Sequence, residues 1–385
     1  MVYKLGELLE LVTENNSELK YGIDDIIGVT IEKQIIPTIA NLKQTDLSKF
    51  IIVKPNDFIY NPRTHGKKIG LGYNKSKEIY IATWNNNVFR VKEDMKDIVM
   101  SDYLYLFFCK ETWDKEACFN SWGSSTVVLL WENFCNMEIN LPDIMEQKKI
   151  IKQYYNISKQ KDLIQQQNDI LLDVGINELT NLIGNEDIVG LSSKEINNIK
   201  IKEKCHITSI DNYCKKITSG GTPNRGNDDY YNGNINWLKS GEVHNNVTTY
   251  TEEKITNKGL NNSSAKIFPK GTILMAMYGA TAGEVGYLDI ESATNQAICG
   301  MICENEKQAA FLYFSLIKNQ ESIKRLSNGG AQDNLSQDII KNTNIIVPND
   351  IDNIKLNVLL RQIIINYNIL MNLDTIQKCI ISKIK

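Results

Sequence analysis

Pro55-Asn56-Asp57-Phe58-Ile59 followed by Gly72-Tyr73, and Pro269-Lys270-Gly271-Thr272-Ile273 followed by Gly286-Tyr287, are the stretches that decide how this chain is organised. Each opens on a turn signal and runs into strand-forming residues, and the glycine–tyrosine pair follows at the same separation. Working outward, Ala82-Thr83 matches Ala293-Thr294, and an aromatic helical stretch ending in lysine occurs twice, from Tyr103 to Lys110 and from Phe311 to Lys318. Gly123 precedes Leu141-Pro142 by the interval that separates Gly329 from Val347-Pro348, while the offset between halves drifts from 214 to 206. Five matches in one order identify an internal repeat whose loops differ in length while its scaffold does not.

After each matched proline the texture becomes helical. Residues Asp143 to Ile183 hold one glycine, Gly175, and no proline; Ile150, Ile157, Ile164 and Leu171 recur every seventh residue. Residues Ile351 to Ile384 hold neither glycine nor proline. There Leu356, Ile363, Leu370 and Ile384 share one heptad position, and Leu359, Leu373 and Ile380 share the position three further on. Asn366 and Gln377 interrupt this seam, as polar residues do when they fix register at some cost in stability. Helices of about 60 Å and 50 Å at 1.5 Å per residue suit an antiparallel coiled-coil pair; two amphipathic helices on a globular core are the alternative. Gly184 to Lys204 reads as a linker. The expected organisation is a globular domain over residues 1–142, a spacer helix over 143–183, a linker over 184–204, a second globular domain over 205–348 and a C-terminal helix over 349–385. Both globular parts are expected to be mixed α/β, with strands at Lys49 to Pro55 and Ile267 to Met277.

The chain has 385 residues, more than one hydrophobic core normally serves. Its 43 basic and 46 acidic side chains leave a net charge of −3, so any nucleic-acid binding must come from local patches. The amino terminus lacks the basic-then-apolar pattern of a signal peptide, and there is no apolar run of about 18 residues, so a cytoplasmic protein without a membrane span is expected. Eight scattered cysteines form no Cys-x-x-Cys pair. Cys299 and Cys303 come closest to a metal spacing, but His65, His206 and His244 supply no second half-site; buried reduced thiols are the expectation.

Catalytic machinery is missing from the motifs. There is no Gly-x4-Gly-Lys-Ser/Thr phosphate loop, and Gly70-Leu71-Gly72 lacks the third glycine of a dinucleotide loop, so it reads as a turn. Asp143 and Glu146 lie too close in sequence for a nuclease metal site and read as favourable charges at a helix amino terminus. Asn61-Pro62 runs into Arg63, not into the second proline and aromatic of a base-methylation motif. The chain is therefore expected to be non-catalytic, with no cofactor or metal of its own.

Surfaces suited to DNA are present instead. Asn61-Pro62-Arg63-Thr64-His65-Gly66-Lys67-Lys68 reads as a cationic loop after a strand, in which arginine suits guanine, asparagine adenine and lysine phosphate. The same residue types suit a solvated basic loop. Trp84 and Asn85, and Ser124 and Ser125 beside Trp122, add amide and hydroxyl groups next to aromatics. In the second half the comparable positions are Thr222 and Arg225, Lys239, Tyr278 and Thr281, Asn295 and Gln296, and Gln332. Small residues between them let a backbone approach a groove closely, and equally mark plain turns.

Taken together these segments resemble the specificity (S) subunits of type I restriction–modification systems. Ile217 to Pro223, then Gly233 to Glu242, Phe268 to Leu274 and Asn334-Leu335-Ser336 look like one of that family's target-recognition domains. Gly28 to Lys33, Pro37 to Asn41 and Asp57 to Pro62 resemble a second variety of the same domain. Pro142-Asp143-Ile144-Met145-Glu146-Gln147-Lys148 is similar to the family's opening of its spacer helix; the second helix lacks the Glu-Gln pair, which leaves its start open. The resemblance implies two recognition domains, each reading half of a split, asymmetric target in double-stranded DNA and held apart by paired helices. It also implies two methyltransferase (M) subunits binding S-adenosylmethionine, and restriction (R) subunits using ATP and magnesium. A coiled-coil scaffold with two protein-binding ends is the rival reading, separated from the first by salt-dependent, sequence-selective DNA binding. A standalone modification enzyme needs a cofactor motif this chain lacks.

Overall fold

Each half of the repeat closes by pairing its first strand with its last, as seen in a computed structural model that describes residues 1–38, 45–65, 67–122, 127–327, 334–351 and 355–384. Val2–Lys4 runs antiparallel to Glu138–Asn140, and Cys205–Ser209 antiparallel to Asn344–Pro348. A short helix follows each first strand (Leu5–Leu8, Ile210–Tyr213), and another precedes each last strand (Trp131–Asn136, Gln337–Asn342). Equivalent backbone bonds tie these helices in. The Leu5 N–H donates to the Met137 carbonyl at 2.8 Å, and the Ile210 N–H to that of Thr343 at 2.9 Å. Past Pro142 and Pro348 come the long helices, Ile144–Ile183 and Leu356–Ser382. The repeat is thus a frame of helix and strand whose contents differ.

Two units result, one formed by Met1–Gln160 with Leu373–Lys385 and the other by Lys161–Asn372. In the first, Leu9–Leu11, Asn87–Val91, Phe58–His65 and Lys68–Tyr73 make an antiparallel sheet in that order. Phe58 lies opposite Tyr73 and Phe89 and stacks on both, with ring centroids 4.6 and 5.1 Å away. Tyr60, Phe108, Trp113 and Phe134 complete a fully buried aromatic core. Each well-placed pair adds about 0.5–1.5 kcal/mol beyond area burial. Gly70-Leu71-Gly72 is not the turn its composition suggested but part of strand Lys68–Tyr73. A Cβ on Gly72 would stand 2.5 Å from Ile35, so glycine lets the hairpin Ile27–Val29/Ile35–Pro37 lie against the strand.

The second unit holds a five-stranded sheet in the order Lys216–Ser219, Ile298–Ile302, Ile273–Ala276, Val285–Leu288, Asn246–Thr248, with only the last pair parallel. A four-stranded sheet runs Glu253–Ile255, Tyr231–Leu238, Ser292–Thr294, Ile267–Phe268. The single strand expected from Ile267 to Met277 is therefore two, broken by the turn at Lys270-Gly271 and belonging to different sheets. That turn also explains a one-residue slip in the repeat. The left-handed residue is Asn56, one after Pro55, in the first half, but Gly271, two after Pro269, in the second. Tyr73 accordingly faces Phe58, whereas Tyr287 faces Ile273. The segment read as a linker is not a bare tether: Ile188 is buried in the core of this unit, and Val189, Leu191, Ile199 and Ile201 pack on it.

Portions of both long helices pack antiparallel within each unit. In the second, Leu179 and Ile183 share a core with Leu356, Leu360 and Ile363, while further along the Asn366 amide donates to Asn168 Oδ1 at 2.8 Å. In the first, the Gln377 amide donates to Ser158 Oγ at 2.7 Å, and Ile150 and Ile384 join the aromatic core. Asn366 and Gln377, both buried, are thus matched to polar partners across the seam, and a slipped register would leave those amides unsatisfied. Leu356 and Ile363 are buried; Ile150, Ile157, Ile164, Leu171, Leu359, Leu370, Leu373 and Ile380 are half-buried and flank the seam. On the central helix the buried residues include Gly175 together with Asn168 and Leu179, which face the partner helix or its core. Gln147, also buried, instead accepts the Met100 N–H and donates to the Ile98 and Pro142 carbonyls. Gly175 is small because Phe314 occupies the space its Cβ would need, 2.1 Å away. Asp143 caps the helix, its Oδ1 accepting the Glu146 N–H at 2.9 Å.

Candidate nucleic-acid interface

In the first unit the cationic segment is a hairpin arm, not a loop: Asn61 to His65 continue the strand that begins at Phe58. The register jumps between Tyr60, opposite Leu71, and Thr64, opposite Ile69, so Asn61, Pro62 and Arg63 bulge from the ladder. The bulge is filled from the other side. The Leu129 N–H donates to the Pro62 carbonyl at 2.8 Å, the Thr64 N–H donates to the Val127 carbonyl at 3.0 Å, and Arg63 bridges to Val128. Proline fits here because only its carbonyl is needed. Val128 in turn pairs with Trp122, whose side chain is 74% exposed. Arg63, Lys67 and Lys68 are exposed, and neither Arg63 nor Lys67 has an ion-pair partner among the described residues. Asn87 lies opposite Tyr60, which puts the Trp84–Asn86 turn at the same end of the sheet; Trp84 rests an edge on Phe50 and is otherwise exposed. Thr83 donates to Asn85 within that turn. Gly66, Ser124, Ser125 and Gln332 lie outside the described residues, as does the side chain of His65.

Beneath the hairpin sits a group the sequence did not reveal. Lys33, in the left-handed turn of the neighbouring hairpin, reaches inward to Asp114 at 2.6 Å and to the Ile69 carbonyl at 2.7 Å. Asp114 also accepts the Ile69 N–H at 3.0 Å, and the ammonium lies 5.0 Å from the Trp113 ring centre. Burial pushes the Lys33 pKa down, against the pull of Asp114. The pair grips both backbone groups of Ile69, the residue after Lys68, and so fixes the base of the cationic arm.

In the second unit the predicted residues form a connected ribbon of loops. Thr222 donates to the Gln296 side-chain carbonyl, the Gly221 N–H donates to the Thr294 carbonyl, and the Asn295 N–H donates to that of Leu238. Thr281 Oγ1 donates to the Ser240 carbonyl at 3.2 Å, and Tyr278 bridges to Asn334. Gly220-Gly221 is required by closeness: a Cβ would meet the Thr294 carbonyl oxygen at 2.2 Å or Ser264 backbone at 2.3 Å. Trp237 Nε1 donates to the Gly221 carbonyl at 3.0 Å and Tyr231 Oη to that of Pro223 at 2.6 Å, strapping the loop to the strand.

The two cations of this ribbon are both paired. Arg225 lies 4.7 Å from the ring centres of Tyr231 and Trp237 and bonds Glu253 at 2.5 Å. Lys239 reaches Glu252 at 2.7 Å and Glu253 at 3.2 Å. Hydrogen bonding from Arg225 holds Glu253 below the usual carboxylate range, and the bond to Glu252 lifts the Lys239 pKa. Glu252 and Glu253 were not anticipated, since strand pairing brings them to residues 13 to 28 positions away. Among the described residues no group of three or more His, Cys, Asp or Glu side chains could hold a metal, and no helix is long and apolar enough to cross a membrane.

Comparison with known proteins places this geometry. A family model described as the type I restriction modification DNA specificity domain matches residues 1–173 and again 203–377. The type I restriction enzyme HindI specificity subunit of Haemophilus influenzae is 32% identical over 137 residues, 34% of this chain and 30% of that protein. The MjaIX specificity subunit of Methanocaldococcus jannaschii is 29% identical over 142 residues, 34% of this chain and 32% of that one. Each of these two matches thus spans less than a third of the curated relative. A crystal structure of a type I restriction–modification S subunit from M. genitalium covers the whole chain with a TM-score of 0.52 at 13% identity, and so shares the fold. With one match on each half of the repeat, this chain belongs to the family of type I restriction–modification DNA specificity domains.

Proposed function

We propose that the chain is the sequence-reading subunit of a type I restriction–modification complex, each unit reading one half of a split, asymmetric site in double-stranded DNA. The observation that carries this is the repeat: one helix-and-strand frame, built twice, presents two different sets of polar and aromatic loops. A shared frame with divergent loops suits two readers of different sequences better than two copies of one binding site. Arg63, Lys67, Lys68 and Trp84 are the contacts assigned to the first half-site; Thr222, Arg225, Lys239, Tyr278 and Gln296 are those assigned to the second. Methyl transfer is assigned to two M subunits that hold S-adenosylmethionine, and cleavage to R subunits that use ATP and magnesium; the chain itself catalyses neither and works in the cytoplasm. Leu163, Ile170, Val358 and Ile365 stay exposed at heptad spacing on the long helices of the second unit, an apolar surface suited to the M partner. Selection of bound duplexes from a random library tests the reading. It predicts enrichment of two short motifs at fixed separation with affinity that falls with salt, whereas binding without sequence preference would refute it.

A further inference from the structure

The two units treat their cations in opposite ways. In the first, Arg63 and Lys67 stand open among the described residues; in the second, Arg225 and Lys239 share Glu253, and Lys239 also holds Glu252. Glu253 is held in place by the fold: it lies opposite Trp237 in the antiparallel ladder, and the Arg225 guanidinium lies over the ring of that same tryptophan. Glu242 fixes the neighbourhood further, accepting the N–H groups of Lys239 at 3.0 Å and Glu252 at 2.9 Å. A carboxylate at the centre of a DNA-facing cluster opposes the approach of any phosphate. It also occupies donors that a guanine edge or a phosphate needs.

We propose that Glu253 is a specificity-determining residue of the second recognition surface. It stands in for DNA and keeps Arg225 and Lys239 neutralised until a cognate base edge offers enough hydrogen bonds to replace it. This rests on the proposed DNA-reading function and adds to it a device against wrong sequences. Random DNA offers phosphate charge, which Glu253 opposes, and base-edge acceptors in no matching arrangement; the cognate site places its acceptors where they can replace the carboxylate. Discrimination by a built-in repulsive group is a general route to specificity. The aromatic pair keeps the guanidinium in place while its partner is exchanged, because the ring faces attract the cation in either state.

The test is Glu253→Gln in the full chain, measured by fluorescence anisotropy on a labelled duplex of about 30 base pairs of random sequence and on one carrying the selected target. Glu253→Gln frees Arg225, while Glu252 still holds Lys239, and one freed cation adds about 0.9 to the slope of log K against log salt. At about 0.15 M that amounts to roughly five-fold tighter binding of random DNA. The target is expected to gain less, so the ratio between the two falls. Glu252→Gln, which loosens only Lys239, is expected to give the smaller effect and serves if the first variant does not fold. Unchanged slope and affinity on random DNA, while the wild-type chain still selects its target, would overturn the proposal and leave the reading function standing. Loss of target binding with no gain on random DNA would overturn it too, by making Glu253 a base contact. A wild-type chain that selects no sequence would remove both.

Discussion

Asp114→Ala tests whether the buried ion pair under the first hairpin carries the cationic arm. Lys33 and Asp114 are 4% and 8% exposed, and removing the carboxylate leaves an ammonium with one carbonyl acceptor and the Ile69 N–H with none. Breaking a buried pair costs about 3–5 kcal/mol, and an orphaned buried amide about 1–3 kcal/mol. The first figure has a ceiling, since the ammonium can discharge. Losing its proton at pH 7, about 3.4 units below the ordinary lysine value, costs about 4.6 kcal/mol. We therefore expect about 4–7.5 kcal/mol from the variant. Urea unfolding followed by tryptophan fluorescence reads mainly the first unit, which holds Trp84, Trp113, Trp122 and Trp131, four of the five tryptophans. The sign of the pH dependence follows from losing Asp114, whose hydrogen bond and charge hold the Lys33 pKa up against burial, so that it falls further in the variant than in wild type. In the variant the native state gives up the Lys33 proton well before the unfolded chain does. The unfolded state then binds more protons and stability rises with pH, so the deficit against wild type shrinks from pH 7 toward pH 10. Binding at the first half-site should weaken with the second unaffected. A loss under 1 kcal/mol with no pH dependence would refute this, because it would mean water reaches the pair.

Arg63→Ala is expected to cost about 1–3 kcal/mol in DNA binding and relax one position of the first half-site, while Lys67→Ala weakens all sequences alike and lowers the salt slope by about one; equilibrium titration at several salt concentrations reads both. Gly221→Ala, whose Cβ would stand 2.3 Å from Ser264 backbone, should destabilise the second unit by about 3 kcal/mol, the upper range for over-packing, as read by hydrogen exchange of that unit's strands. Insertions near Gln166, in the exposed Gln165–Gln167 stretch, should alter the unread gap and neither half-site. Seven residues lengthen a helix by about 10 Å, near three base pairs of roughly 3.4 Å, and methylation-site mapping of the series measures the change.

The repeat and the long helices were legible because both are periodic in sequence, and period survives whatever the loops do. Ile150, Ile157, Ile164 and Leu171 mark the central helix, yet they are half-buried while Asn168 and Gly175 are buried. Polar and small side chains in those places look solvent-facing until a partner helix supplies Asn366, or until Phe314 fills the space over the glycine. The cationic arm was found by residue type but misread as a loop, since Pro62 signals a strand end; a bulge backed by Leu129 accommodates it. Glu253 and Lys33 were invisible for a common reason. Their meaning comes from partners 28 and 81 residues away, and no local pattern encodes a contact made by sheet pairing.

Methylation-site mapping is the most direct measurement of the central claim. It uses a methylation-free host carrying this chain with its M partner, compared with a chimera in which residues 1–142 come from another family member. Two domains that each read one half-site predict a split asymmetric motif for the wild-type chain, and in the chimera a change confined to one half. A motif that changes in both halves, or methylation that does not depend on this chain, would contradict the account.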